Sequence, residues 1–435
     1  MRITFLDALA PGAISRTTEE VLRQSNALHA VHRLREERFA PCQGCFECWT
    51  DHPGTCKAKD AANDVMRDAI GADALLFATR VRFGCWDPIA KVALDKCIGL
   101  LSPFFGTVEG ETHHVARYPR YPRCGCLAVA PPTVDERERA AFRRLVRRNA
   151  LNFHTGDPWV AFVPPDASPA EVRAALVEGL VDLARPPEPC APKLEPYAPR
   201  SESHGVPGRA GPRHLVLWVG SSKPEGESAS ERLGAALEER LVARGWTAER
   251  VFTHRTVKLG GARAPALVEA ARRADLLVLA APVYIDCLPA PVLAGLAHLA
   301  DARLRADAPT LLPIVQCGFP ELTHTALAVD VAWRAAREAG LGWAGHLAMG
   351  GGGMVHRPLA ESAHHEPQLR ALDEAAEALD AGRPVPPEAT RAFGTPAVSP
   401  ALYRTMGNAG WIARAIGRGV GPLRIRRRPF DPAPS

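Results

Sequence analysis

The chain has 435 residues, 46% apolar and 23% charged, with a net charge of +5 at pH 7. That length allows two or three domains with sizeable cores, and so mild a charge does not by itself call for nucleic acid. No apolar run is long enough to span a membrane, and eleven cysteines, four of them crowded together, suit a reducing compartment, so the cytoplasm is expected.

In chain order, Arg2–Leu9 reads as a strand and Thr17–Val31 as a helix capped by Thr17 or Thr18. A short strand near Val31–Arg35 precedes the run Cys42-Gln-Gly-Cys45-Phe-Glu-Cys48-Trp-Thr-Asp-His-Pro-Gly-Thr-Cys56. Helix Asp60–Ile70, apolar strand Ala74–Thr79 and helix Ala90–Leu101 follow, then a charged loop, Gly106–Arg123. Strand Cys124–Ala130, basic helix Asp135–Leu151, strand Trp159–Val163 and helix Pro169–Ala184 close the first half. Residues 186–212, rich in Pro, Ser and Gly, read as a linker.

The alternation then restarts with strand Leu215–Val219, helix Ser230–Arg244, a strand near Glu249–Phe252 and helix Ala264–Ala274. Strand Leu276–Ala281, helix Pro291–Leu304, strand Thr310–Val315, helix Leu327–Ala339, a strand near Trp343–Leu347 and a helix near Gln368–Ala381 complete it. Ala72-Asp-Ala-Leu-Leu-Phe-Ala-Thr-Arg-Val81 in the first half matches Ala274-Asp-Leu-Leu-Val-Leu-Ala-Ala-Pro-Val283 in the second, the mark of a duplicated domain. Strands alternating with helices imply right-handed crossovers and a parallel sheet covered on both faces. The expected organisation is 1–185 and 213–385 as two α/β domains, with a basic tail over 386–435.

Between strand Leu215–Val219 and its helix lies Gly220-Ser221-Ser222-Lys223-Pro224-Glu-Gly-Glu-Ser228-Ala-Ser230. A buried strand ending in a Gly/Ser loop at a helix N-terminus offers backbone N–H groups, hydroxyls and the positive end of the helix dipole to an anion such as a phosphate ester. The loop is neither G-x-G-x-x-G nor G-x-x-x-x-G-K-[ST], which weighs against dinucleotide-fingerprint and P-loop chemistry. The plainer reading is a turn with Ser230 as N-cap.

With these residues the chain resembles the flavodoxin-like superfamily, in particular NAD(P)H-dependent FMN reductases and iron–sulfur flavoproteins, one copy per half. The resemblance implies two tandem doubly wound α/β domains, each with a five-stranded parallel sheet. In the second half it makes Gly220–Ser230 a phosphate loop, with Ser221, Ser222, Lys223, Pro224, Ser228 and Ser230 around the FMN phosphate. Pro282, Val283, Tyr284 and Ile285, and then Cys317, Gly318 and Phe319, would line the flavin ring, all on loops at the carboxyl ends of strands. The plain readings are an ordinary edge aromatic for Tyr284 and a small buried hydrophobe for Cys317. The first half carries C-x-G-C-F-x-C-W…P-G-x-C like the iron–sulfur branch. It departs at the phosphate loop, Asp7-Ala-Leu-Ala-Pro-Gly-Ala-Ile-Ser15-Arg-Thr-Thr18, and at Arg80-Val-Arg82 in place of P-V-Y, so the resemblance puts FMN in the second half. In the first half, Ser15, Thr17 and Thr18 with Arg16 serve either as phosphate donors or in helix capping.

Three readings stand for Cys42, Cys45, Cys48 and Cys56: a [4Fe–4S] centre, which compact C-x2-C-x2-C runs suit, a zinc ion, or reduced thiols packed in a loop. Cys85, Cys97, Cys124, Cys126, Cys190 and Cys287 read as structural. The pairs His113-His114 and His364-His365 read as solvent-facing loop histidines, and the arginines between Arg137 and Arg148 as a solvated helix face. Gly350–Gly353 is either a close approach to the flavin or a mobile loop, and the glycines of the tail weigh against a long helix there. The resulting expectation is an FMN-dependent oxidoreductase that takes electrons from NADH or NADPH and passes them to a small-molecule or protein acceptor. An iron–sulfur electron carrier and a non-catalytic scaffold are the alternatives. Nucleic acid is not an expected partner, and self-association is left open.

Overall fold

The computed structural model describes residues 1–186, 188, 203–206, 211–261, 264–302, 304, 308–361 and 363–431. Much of the expected linker, with Cys190, lies outside them. The chain forms two compact units, Met1–Glu195 with Arg404–Ser435, and Pro196–Tyr403. Among the described residues no helix is long and apolar enough to cross a membrane.

The first unit runs β1 (Ile3–Asp7), α1 (Ala13–Gln24), β2 (Leu28–Arg33), α2 (Glu47–Thr50), α3 (Ala62–Ile70), β3 (Ala74–Arg82), β4 (Cys85–Trp86) and α4 (Pro88–Lys96). It continues through β5 (Leu101–Val108), β6 (Glu111–Ala116), β7 (Arg123–Val129), α5 (Glu136–Asn152), β8 (Trp159–Val163) and α6 (Pro169–Leu183). Its main sheet has the order β2-β1-β3-β7-β8, all parallel, with β4 turning back antiparallel on β3. Strand β1 is buried along its whole length, as an inner parallel strand must be, and Ile3, Phe5, Leu76 and Leu127 form the core with Val172 and Leu176 of α6.

The second unit runs β9 (His214–Val219), α7 (Ala229–Val242), β10 (Thr247–Phe252), α8 (Thr253–Thr256), α9 (Pro265–Arg273), β11 (Leu276–Pro282), α10 (Ala290–Asp301) and β12 (Thr310–Gln316). It ends with α11 (Ala326–Ala339), β13 (Gly342–Trp343), β14 (Leu347–Met349), α12 (Glu366–Asp380) and α13 (Pro387–Phe393). The order is β10-β9-β11-β12-β13, again parallel, with β14 pairing further along β12, so the fifth strand is split in two. Both sheets therefore follow the 2-1-3-4-5 flavodoxin-like order.

The duplication extends to single bonds. The amide of Arg2 donates to the Asp73 carboxylate at 2.7 Å, and the amide of His214 to Asp275 at 2.8 Å. At the opposite strand ends Ala8 N–H donates to Ala78 O at 2.9 Å and Gly220 N–H to Ala280 O at 2.7 Å.

Three segments differ from the sequence reading. The stretch read as a charged loop holds the antiparallel hairpin β5–β6. Helix α1 runs from Ala13, behind Gly12, to Gln24 and not from Thr17 to Val31, and β2 already begins at Leu28. Thr17 and Thr18 thus lie inside the helix, and the Thr18 hydroxyl donates to Ile14 O at 2.8 Å, neither capping nor facing a ligand. The segment read as a tail holds an 18-residue helix, α14 (Pro400–Gly417), despite its glycines, and belongs to the first unit from Arg404 on. Tertiary packing overrides weak propensity here.

Gly295 of α10 lies against the fully buried Trp218, whose indole N–H donates to the Thr253 hydroxyl at 2.7 Å. A Cβ at Gly295 would sit 2.5 Å from the indole ring. Gly295→Ala is therefore expected to lower the denaturation midpoint of the second unit, by about 1–3 kcal/mol of overpacking, in a urea titration followed by tryptophan fluorescence.

Candidate functional site

In the second unit the loops after β9, β11, β12 and β14 gather at the carboxyl ends of the strands, where open parallel sheets bind ligands. Helix α7 is capped by Ser228, not Ser230: the Ser228 hydroxyl accepts the Glu231 amide at 3.1 Å. Ser221 Oγ accepts from Lys223 N at 3.2 Å, and Pro224 O from Glu227 N at 3.2 Å. Glu231 accepts the Gly226 amide at 2.7 Å and so takes one donor of the loop for itself. The amides of Ser222, Ser228, Ala229 and Ser230 have no partner among the described residues. They stand at the positive end of a 14-residue helix beside Lys223, so the residues fit a phosphate. The Ser230 hydroxyl instead faces Gln316 Nε2 at 3.3 Å, tying this loop to the end of β12.

Tyr284 to Cys287 form a two-residue hairpin turn. Tyr284 N–H donates to Cys287 O at 2.7 Å, and Ile285 and Asp286 have φ of 52° and 55°. A β-branched residue in the left-handed region carries strain of roughly 1–3 kcal/mol. The first unit makes the same turn at Arg82–Cys85 with Phe83 and Gly84, at φ of 59° and 69°. Pro282 ends β11, and Val283 N–H donates to Gln316 O at 2.8 Å, which joins this loop to β12 as well. The Asp286 carboxylate lies 3.1 Å from His324 Nδ1.

Cys317–Phe319 and Gly350–Gly353 are knitted together. Cys317 N–H donates to Met349 O, Gly351 N–H to Phe319 O and Gly352 N–H to Cys317 O, at 3.0, 2.8 and 2.8 Å. A Cβ on Gly350 would lie 2.2 Å from Pro320 O, and one on Gly352 would lie 1.7 Å from Gln316 Oε1. The glycine run is thus a close approach of two backbones, pinned by hydrogen bonds. Sequence reasoning missed Tyr403: its hydroxyl donates to Gly318 O at 2.5 Å and its ring packs on Gly351. Burial pushes that phenol's pKa up, with Cys317 and Glu321 adding to it. Nothing in the sequence near Tyr403 marks it, because the contact spans 85 residues.

The matching place in the first unit does not fit a phosphate. Asp7 ends β1 and accepts the Leu9 amide at 3.0 Å, which puts a carboxyl at the strand end where the second unit has Val219, directly before its serine loop. Burial raises the pKa of this carboxyl against the opposing pull of the Leu9 amide, Ser15, Arg33 and Arg35. Gly12 gives α1 no side-chain cap. Arg35 donates to Ala8 O at 2.8 Å and pairs with Asp87 at 2.9 Å, closing the gap between the loop after β1 and the start of α4.

The four clustered cysteines lie on the loop between β2 and α3, each partly exposed. Their surroundings are still dense enough to push the Cys42 thiol up to about 12, chiefly by burial, against the pull of the Gly44 amide. Burial likewise pushes Cys48 up, and Cys42, Cys56 and Cys45 add to it from nearby. Among the described residues no three of these sulfurs come within 4.8 Å of one another. Tetrahedral zinc, with sulfurs at about 2.3 Å, needs them roughly 3.8 Å apart, so a zinc site is not preformed. A cluster in which each thiolate binds its own iron takes wider spacing than a single zinc ion does.

The neck of the loop is closed by Asp60, which accepts the amides of Ala40 at 2.8 Å and Ala62 at 3.1 Å and pairs with Lys96. The histidines of β6 are not in solvent. His113 lies 3.2 Å from Asn152 Oδ1, and the His114 ring packs on Trp49 at 4.4 Å, its pKa lowered to about 3 by burial. His365 is buried and His364 exposed. Arg147 pairs with Asp157 at 2.7 Å and Arg148 with Glu111, so the basic helix α5 is partly tied into its own unit.

No protein-family model matches the chain, and a comparison with curated proteins finds no match. Solved structures similar to part of it include an NAD(P)H:quinone oxidoreductase from Methanothermobacter marburgensis, 19% identical over 39% of this chain and 100% of that one, TM-score 0.30. A flavodoxin from Streptococcus pneumonia is 19% identical over 39% of this chain and 97% of that one, TM-score 0.27. An FMN-dependent NADH-azoreductase from Bacillus anthracis in complex with FMN is 10% identical over 42% of this chain and 98% of that one, TM-score 0.32.

Asp60 supports a pH prediction. Burial of the carboxyl raises its pKa, but the Lys96 bond and the Ala40 and Ala62 amides outweigh that and hold it below the usual carboxylate value. A carboxyl depressed in the folded state contributes stability above its unfolded pKa of about 3.9 and loses it as the pH falls through the folded value. Asp60→Ala is expected to destabilise the first unit by about 3–5 kcal/mol, since it leaves Lys96 buried without its partner. Melting curves at pH 7 and pH 3 check both: the deficit against the unmodified protein should shrink at the lower pH. Strand order and crossovers, read from the chain itself, make it two flavodoxin-like folds in tandem.

Proposed function

We propose that this chain is an FMN-dependent NAD(P)H oxidoreductase whose flavin sits in the second unit. The observation that carries the reading is the start of α7, where four amides without partners among the described residues and Lys223 face the loop after β9. FMN, when bound, supplies the redox chemistry, taking a hydride from the nicotinamide and passing electrons to an acceptor. The protein's share is placement. Ser222, Ser228 and the α7 amides hold the phosphate, while the strained turn at Ile285 and the pinned strip Cys317–Phe319 give the ring a rigid edge. In the same reading the first unit takes no flavin, because Asp7 and the Arg35–Asp87 pair stand in its place.

One observation favours an electron-carrier version. Cys42, Cys45, Cys48 and Cys56 lie together on one loop, a donor set suited to a polynuclear iron centre. Such a centre would restrict transfer to single electrons and point to a protein acceptor more than to a small two-electron one. A reducing compartment, the cytoplasm, suits free thiols of this kind.

The test is FMN retention in a Ser222→Ala, Ser228→Ala double variant. Hydrogen bonds to a charged phosphate contribute about 1.5–3 kcal/mol each, so the dissociation constant should rise tenfold or more. Ser228 also caps α7, and its loss costs roughly 1 kcal/mol of helix stability, so Ser222→Ala alone serves as the variant with no cap to lose. Unchanged flavin affinity in both would refute the phosphate assignment.

A further inference from the structure

We propose that the segment from Arg404 to Asp431 is a structural part of the four-cysteine site, a cover whose docking and the protection of the thiols depend on each other. The loop that carries the cysteines has little structure of its own, only the four-residue α2. Asp60 closes its neck and the Trp49 indole donates to Leu101 O at 3.0 Å, and a segment with so little regular secondary structure gains order from further contacts outside it. The last thirty or so residues of the unit supply them. Trp411 of α14 meets Phe46 edge-on with centroids 5.3 Å apart, and Trp49 likewise at 5.0 Å. Phe46 and Trp49 directly follow Cys45 and Cys48 in sequence. One turn along the helix, Arg414 donates to Cys45 O at 3.1 Å, and one turn further Arg418 pairs with Asp51 at 3.3 Å.

After α14 the chain turns back over the loop. Ala415, Val420 and Ile425 form a small core with Phe104. Arg117 then gathers the strap: its guanidinium donates to Ile425 O at 3.1 Å and Arg427 O at 2.7 Å, while also holding Leu101 O at 3.0 Å. Arg428 answers by donating to Arg117 O at 2.7 Å. At the far end Gly54, with φ of 89°, lies directly under Pro429, where a Cβ would come 2.4 Å from the proline ring. The strap thus touches the loop from Cys45 to Gly54. Linkage makes the dependence mutual: whatever orders the loop favours the docked strap, and whatever loosens the strap opens the loop. None of this rests on where the flavin binds.

The test is alkylation of the reduced full-length protein by iodoacetamide under anaerobic conditions, read cysteine by cysteine by mass spectrometry. Cys42, Cys45, Cys48 and Cys56 should react slowly in the unmodified chain, and about tenfold or more faster in Trp411→Ala, with Cys124 and Cys126 unaffected. Arg414→Gln with Arg418→Gln, which spares the aromatic packing, should accelerate the same four thiols by a smaller factor. Leu423→Ser, at a strap residue that is 87% exposed, should react at the unmodified rate. Equal rates in the unmodified protein and both contact variants would overturn the proposal. So would acceleration that extends equally to Cys124 and Cys126, because it would report loss of the fold and not an uncovered loop.

Discussion

In the proposed function, where the chain leaves the first strand of each unit decides what that unit can hold. The exit is fixed by one backbone bond, Ala8 N–H to Ala78 O in the first unit and Gly220 N–H to Ala280 O in the second. Up to that bond the units are built alike; beyond it they diverge. In the second, eight residues, Gly220 to Glu227, separate the strand from the Ser228 cap, and the first amides of α7 face an open loop. In the first, five residues separate Asp7 from α1, and the Asp7 carboxyl already occupies the Leu9 amide. At the matching strand end the second unit has Val219, so only the first unit sets a carboxyl at this exit, where it would oppose an anionic phosphate ester.

Much of this was legible in the sequence because it is local. The alternation of apolar strands and amphipathic helices implied a parallel sheet covered on both faces, and the match of Ala72–Val81 to Ala274–Val283 exposed the duplication. The serine loop could be placed at a helix start from its spacing, although Ser228 and not Ser230 turned out to be the cap, since the helix begins one residue earlier than its apolar pattern. The β5–β6 hairpin was hidden because its residues are polar and aromatic in no clean alternation, and its pairing depends on what it packs against.

What the sequence concealed are contacts of high sequence separation. Tyr403 reaches Gly318, and Trp411, Arg414 and Pro429 reach a loop more than 350 residues upstream. Each of these residues, read alone, is an ordinary member of a Gly- and Arg-rich C-terminal stretch. The histidines at 113 and 114 were misplaced for the same reason: burial comes from Asn152 and Trp49, neither of them a neighbour in sequence. The tetraglycine run needed three-dimensional context as well, because its smallness matters only opposite Pro320 and Gln316.

The central claim is that one of two like folds keeps an anion-binding strand exit and the other has closed it. Its most direct test is the stoichiometry of FMN binding to the full-length protein freed of flavin, by fluorescence titration against a known protein concentration. The account predicts one FMN per chain. Two per chain would contradict the reading of Asp7 and the Arg35–Asp87 pair, and none would contradict the reading of the loop before α7.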